Sequence, residues 1–199
     1  MTTRSVVLRL CRIALVGLCL APAALLARSQ AVSVPLTPDR WVATDSLRFE
    51  TYLGRPSLYI DRGVALARDV AFQDGTLEYD VAATERTSFL GVVFHAHTLT
   101  RSEVVFFRPG DTGTAEAVQY GPAFNGIVAA WQVYHGPGAN AVADVPRRRW
   151  MHVRLEIAGG TATLYLDSET IPVLVVPHLA GTGGTSVGVW AGAYGRGAY

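Results

Sequence analysis

Apolar and polar residues alternate with a period of two through most of this chain. In Gly75–Ala83, "GTLEYDVAA", Leu77, Tyr79 and Val81 fall on one side and Glu78, Asp80 and Ala82 on the other, the pattern of a strand with one buried face. "MHVRLEI" sets Val153, Leu155 and Ile157 against His152, Arg154 and Glu156; after "AGG", "TATLYLD" sets Ala162, Leu164 and Leu166 against Thr161, Thr163 and Tyr165. Two strands joined by a short glycine turn make a hairpin. Further strand-like runs are "SLYI", "GVALA", "SFLGVVFHA", "EVVFFR", "EAVQY", "IVAAWQVY", "IPVLVV" and "TSVGVWAG", separated by Gly, Pro, Asp and Asn. They recur at roughly ten-residue spacing, the rhythm of sandwiches and jelly rolls. The best helical periodicity, in "RGVALARDVAF", contains Gly63 and β-branched residues that suit a strand better. The pattern predicts one all-β domain of two packed antiparallel sheets.

The first 31 residues stand apart from this pattern. Arg4, Arg9 and Arg12 precede the apolar run "IALVGLCLAPAALLA", and "SQA" (Ser29 to Ala31) offers small residues for cleavage, which together read as a secretory signal peptide. Pro22 interrupts the apolar run, which falls short of the roughly 20 residues that span a bilayer. The expectation is a signal peptide over 1–31 and a secreted or periplasmic domain over 32–199. Leu18 before Cys19 does not suit lipid attachment. Both cysteines, Cys11 and Cys19, fall in the leader, so thiol catalysis and cysteine metal sites are excluded from the domain. Its 168 residues suffice to bury about 70% of the unfolded surface without disulfides. They carry 13 arginines, no lysine and 16 acidic residues, a net charge of −3 that removes the electrostatic basis for nucleic-acid binding. Arg147, Arg148 and Arg149 form the one dense basic run and read as a solvated turn.

"YLGRPSLYIDRGVALARDVAFQDGTLEYDVA" (Tyr52 to Ala82), "EVVFFRP", "AVQYGPAFNG" and "WMHVRLEIAGGTATLYLD" resemble the concanavalin A-like lectin/glucanase superfamily. The nearest likeness is to laminin G-like jelly rolls and 3-keto-disaccharide hydrolase-type domains of secreted bacterial proteins. The resemblance implies a two-sheet jelly roll with a concave front sheet that holds glycans. Relatives continue past a segment like "GAYGRGAY" with a final strand, whereas this chain stops at Tyr199. A jelly roll lacking its last strand, with an open edge available to a protein partner, is therefore an expectation.

A glycan groove needs aromatic faces for sugar C–H surfaces and amide, carboxylate or guanidinium groups for hydroxyls. With Leu90, Val92 and Phe94 in the core, alternation sends Gly91, Val93 and His95 to the groove; with Val118 and Tyr120 inward, Gln119 goes outward. The same reasoning on "IVAAWQVY" turns Trp131 and Val133 inward and Gln132 and Tyr134 outward. In "EVVFFR", Glu103 shares a face with Phe107 and Arg108 takes the other, so both are candidates. The binding set is His95, Glu103, Arg108, Gln119, Asn125, Gln132 and Tyr134. Each alone also fits an ordinary position of a sandwich, and Asn125 in "FNG" reads first as a turn residue. Trp131 and Trp190 read as core.

Catalytic motifs are sparse. Retaining glucanases need two carboxylates about 5 Å apart; "EYDVAATE" (Glu78, Asp80, Glu85) places its last glutamate past the strand end and the others on a solvated face. His95 and His97 in "HAH" lack a visible third metal ligand. Asp111 and Asp144 stand in loops where calcium is conceivable, but isolated aspartates usually form turns, so no cofactor is expected. These residues read best as an exported, non-catalytic carbohydrate-binding module. The rival readings are a glycoside hydrolase acting on 3-keto-glycosides through His95, Glu103 and Arg108, and an envelope protein-interaction domain.

Overall fold

The computed structural model describes residues 31–125, 127–128 (backbone), 132–167, 169–192 and 197–199. Fourteen strands occur among them: β1 (Trp41–Ala43), β2 (Leu47–Tyr52), β3 (Arg55–Ile60), β4 (Gly63–Ala67), β5 (Gly75–Ala82), β6 (Phe89–Thr98), β7 (Arg101–Phe107), β8 (Val118–Phe124), β9 (Ile127–Val128), β10 (Asn140–Ala141), β11 (Trp150–Ala158), β12 (Thr161–Leu166), β13 (Leu174–Val176) and β14 (Ser186–Gly192). The described helices are single 3-10 turns at Pro38–Arg40 and Pro109–Asp111, and no described helix is long and apolar enough to cross a membrane. The result is an antiparallel two-sheet β-sandwich of the jelly-roll class.

The larger sheet runs β1-β4-β14-β6-β7-β8-β10, with β9 hairpinned onto β8; the smaller runs β13-β12-β11-β5. The predicted hairpin is β11–β12, with Ala158 opposite Thr161. Gly159 and Gly160 both take positive φ, 56° and 82°, as a two-residue turn matched to strand twist requires. Between the sheets lie Val81 of β5, Leu90, Val92 and Phe94 of β6, Val105 and Phe107 of β7, Val118 and Tyr120 of β8, Val153, Leu155 and Ile157 of β11, and Leu164 of β12.

The larger sheet is apolar on its other face too. Val64, Leu66, Val93, Ala96, Val104, Phe106 and Ala123 form a second cluster there, with Val42, Phe89, Leu99 and Trp190 against it. Trp190, half-buried, packs against this outer-face cluster. "SVGVWAG" is apolar throughout because both of its faces are covered by apolar groups, so its alternation gave no hint of side.

Two expectations change. Of the predicted strand "IVAAWQVY", Ile127–Val128 are strand and Gln132 and Tyr134 lie in a turn segment; residues 129–131, Trp131 among them, lie outside the described residues. The basic run is not uniformly solvated: Arg147 Nη1 donates to the carbonyls of Thr84, Glu85 and Thr87 at 2.9, 3.1 and 2.9 Å, satisfying a loop that has no ladder of its own.

The chain end is part of a sheet. Ala198 bridges antiparallel to both Ile60 of β3 and Ala83 after β5, so the β2–β3 hairpin joins the smaller sheet through Gly197–Tyr199. Ile60 and Ala198 exchange two backbone bonds of 3.1 Å; Ala82 and Tyr199 exchange bonds of 2.8 and 3.1 Å. Thr87 Oγ1 donates to Gly197 O at 2.7 Å, and Gly197 N donates to the Tyr59 hydroxyl at 3.2 Å. A Cβ on Gly197 would stand 1.7 Å from Ile60 O. Gly197→Ala is accordingly expected to destabilise the fold by about 1–3 kcal/mol through overpacking, read as a lower urea midpoint with unchanged m-value.

Candidate functional site

The residues singled out from the sequence gather into two clusters on opposite faces of the larger sheet. The first is on the inter-sheet face. β6 carries a bulge at His95, where φ is +46° and the register with β7 and β14 shifts. Phe94 and His95 consequently share the inner side, while Ala96 joins the outer cluster with Val93. This overturns the placement of His95 in an outward groove, since an extra residue in a strand reverses the facing of every residue beyond it.

His95 Nδ1 lies 3.3 Å from Glu103 Oε1, and its Nε2 lies 2.8 Å from the carbonyl of Gln73. Both ring nitrogens are engaged; His97, two residues on, is exposed. Among the described residues no group of three or more His, Cys, Asp or Glu side chains could hold a metal ion. Asp144, one of the two loop aspartates considered for calcium, accepts from Thr112 Oγ1 at 3.1 Å and pairs with Arg149 at 3.4 Å.

Glu103 is fully buried. Its Oε1 accepts the N–H groups of Gly181 and Thr182 at 3.1 and 3.2 Å, and its Oε2 accepts the Tyr120 hydroxyl at 2.8 Å. Tyr120 Oη in turn accepts Ala180 N–H at 2.7 Å. Burial, reinforced by the neighbouring Glu103 carboxyl, pushes the Tyr120 hydroxyl far above the ordinary tyrosine range, so it remains a donor. Thr182 Oγ1 closes the set on the His95 carbonyl at 2.7 Å. Glu103 thus acts as a strut that fastens the 180–182 loop to β7 and β8, and it presents no surface to a ligand.

The second cluster is on the outer face, at the edge formed by β7, β8 and β10. Arg108, nearly buried, lays its guanidinium 4.8 Å from the Phe106 ring centre and 5.6 Å from that of Phe89, distances at which cation and ring attract. It donates to the Glu116 carbonyl at 2.6 Å and to Gln119 Oε1. Burial lowers its pKa, and the carboxylates of Glu116 and Asp111 oppose that shift. Gln119, itself buried, passes the network on to the Tyr134 carbonyl. Glu116 Oε1 lies 2.6 Å from His135 Nε2, and Glu116 Oε2 accepts from Asn140 Nδ2 at 3.3 Å. The side chains of Glu116 and His135 remain 38% and 48% exposed. Trp190 sits 5.6 Å from Phe106 and 5.9 Å from Phe89, and Arg108 links this aromatic group to the Glu116–His135 pair farther along the sheet.

Of the sequence-derived candidates, Arg108, Gln119 and Tyr134 meet here. Tyr134 contributes its backbone carbonyl, while its ring packs edge-on to Tyr120 at 5.7 Å. Asn125 is exposed in the turn between β8 and β9 with φ +55°, and Gln132 is exposed in its own turn; neither joins either cluster. Glu116, His135, Asn140 and Phe89 were not foreseen. Glu116 opens the run "EAVQY", but its partners His135 and Asn140 arrive from a segment some twenty residues later.

No protein-family model matches the chain, and a search of curated proteins found no match. Solved structures do resemble it. The carbohydrate-binding module CBM66 from Bacillus subtilis superposes with a TM-score of 0.56 at 14% identity, covering 80% of this chain and 90% of that one. A protein of unknown function with a galectin-like fold, also from Bacillus subtilis, superposes with a TM-score of 0.52 at 10% identity, covering 80% and 86%. At these identities the likeness establishes a lectin-like β-sandwich and leaves residue roles to the side chains themselves.

Glu103→Leu is expected to cost about 3 kcal/mol, because the N–H groups of Gly181 and Thr182 and the Tyr120 hydroxyl lose their acceptor inside the protein. Chemical denaturation checks the magnitude, and faster amide exchange confined to 180–182 checks the cause.

Proposed function

We propose that Val32–Tyr199 is an exported, non-catalytic carbohydrate-binding module that takes its sugar on the outer face of the larger sheet. The likeness to CBM66 supports the class. The observation that carries the site is a chain of contacts along the outer face: Trp190 packs on Phe89 and Phe106, Arg108 lies over both phenyl rings, and Arg108 in turn holds Glu116 of the half-exposed Glu116–His135 pair. A glycan of several rings laid across the strands offers C–H faces to the aromatics and hydroxyls to the carboxylate and imidazole. Arg108 and Gln119 fix the polar pair and do not contact ligand. Binding is weak, since each hydroxyl bond made in competition with water nets about 1 kcal/mol. The hydrolase alternative draws no support from the geometry, because Glu103 is sealed beneath the 180–182 loop and His95 is spent on Gln73 and Glu103.

A glycan array followed by calorimetry on the best ligand tests this reading. Trp190→Ala and Glu116→Ala are each expected to weaken binding roughly tenfold, equivalent to about 1.4 kcal/mol, whereas Asn125→Ala and Gln132→Ala leave it unchanged. Binding that survives the Trp190 and Glu116 double variant removes the site. Turnover of 3-keto-glucosides by the purified protein would replace the module with an enzyme.

A further inference from the structure

His95 is held unlike an ordinary strand residue. It sits at the β6 bulge with a φ of +46°, a conformation that a side-chain-bearing residue keeps only where its surroundings enforce it. Its side chain is 16% exposed, with the Phe94 ring edge-on at 5.2 Å and the Phe72 ring stacked at 6.5 Å. Both ring nitrogens face acceptors: Nε2 meets the Gln73 carbonyl at 2.8 Å, and Nδ1 meets Glu103 Oε1 at 3.3 Å. A carbonyl can only accept, so Nε2 carries a proton. Glu103 already takes the N–H groups of Gly181 and Thr182 and the Tyr120 hydroxyl, a set of donors that fits the carboxylate form. Nδ1 then carries a proton as well, because a bare lone pair there would face a carboxylate oxygen. We propose that His95 is a proton-held latch: its doubly protonated ring ties the 70–74 segment to the Glu103 network, and loss of one proton releases that segment.

The neighbours of the ring leave this charge arrangement to one pair. Among the described residues, Glu103 of β7 is the charged group in contact with the imidazole. β8 adds Tyr120, which reaches the ring through Glu103. The 180–182 stretch adds N–H groups and Thr182 Oγ1, which donates to the His95 carbonyl at 2.7 Å. β14 adds Ser186, opposite Ala96. Asp74 and His97, the nearest other titratable groups along the chain, are exposed. The two buried charges therefore meet each other, and the convergent donors on Glu103 make their burial tolerable.

Taking a proton away sets a lone pair against an acceptor whichever nitrogen loses it. The two contacts do not yield equally. Glu103 is fixed by three other donors, whereas Gln73 belongs to an exposed stretch between β4 and β5 whose nearby backbone tie is Phe72 N–H to Thr185 O at 2.7 Å. The stretch gives way, and Val70 and Phe72, which pack on the rim of the inter-sheet core, move with it. An imidazole in an unfolded chain gives up its proton near about pH 6.5. Because the closed latch binds the protonated ring, its stabilisation is present in more acidic solution and is lost as the pH rises through the point at which the folded pair releases its proton.

NMR of the purified protein between about pH 5.5 and 9.5, either side of the histidine range, tests the latch. At the acid end both ring nitrogens of His95 are expected to show the shifts of a protonated imidazolium. As the ring titrates, the protection factor of the Phe72 amide is expected to fall roughly tenfold or more with the same midpoint, while Gly181, Thr182 and, in the β11–β12 hairpin, Leu155 and Leu164 keep theirs. His95→Asn, which tolerates positive φ and does not titrate, is expected to abolish the pH dependence at Phe72. Three results overturn the proposal: a ring whose protonation is the same at both ends of the range; Phe72 protection that does not follow the His95 titration; or the same pH dependence in His95→Asn. The first two are read on the unsubstituted protein and hold whether or not the variant folds.

Discussion

The sandwich closes only if neighbouring strands send their side chains to the two faces in step. β6, β7 and β8 keep step: Leu90, Val92, Phe94, Val105, Phe107, Val118 and Tyr120 fill the space between the sheets, while Val93, Val104 and Phe106 take the outer side. One extra residue in one strand reverses everything beyond it. This happens once among these three, at His95, where a positive φ of 46° turns the imidazole inward beside Glu103. The inward turn of His95 results from that angle: a group of outer-face parity is recruited to the inner network. Arg108 just after β7 and Gln119 on β8, strands that pair in unbroken register, reach the outer face by plain alternation.

The inner network answers a backbone need. The 180–182 stretch crosses the end of the core without ladder partners of its own, and buried N–H groups without acceptors are costly. Ala180, Gly181 and Thr182 find acceptors in Tyr120 and Glu103. A carboxyl suits the place because it offers two oxygens to several donors, and its burial is tolerable only because those donors converge. Sealed in this way, Glu103 stabilises the loop and exposes neither oxygen to a substrate.

Strand existence and core facing were legible because each rests on local alternation: Leu77, Tyr79 and Val81 could be assigned inward, and Gln119 outward, from their immediate neighbours. What was not legible depends on partners distant in sequence or on a backbone angle. Nothing in "FHAHT" marks His95 for positive φ. Arg147 looked solvated because its three carbonyls lie some sixty residues earlier, at Thr84, Glu85 and Thr87. Which face of its sheet Trp190 covers was not legible, because a strand apolar on both faces carries no polar beat. The Glu116–His135 pair was hidden because the strand reading of "IVAAWQVY" predicted a straight ladder where the described part, Gln132 to Tyr134, turns back over the sheet edge.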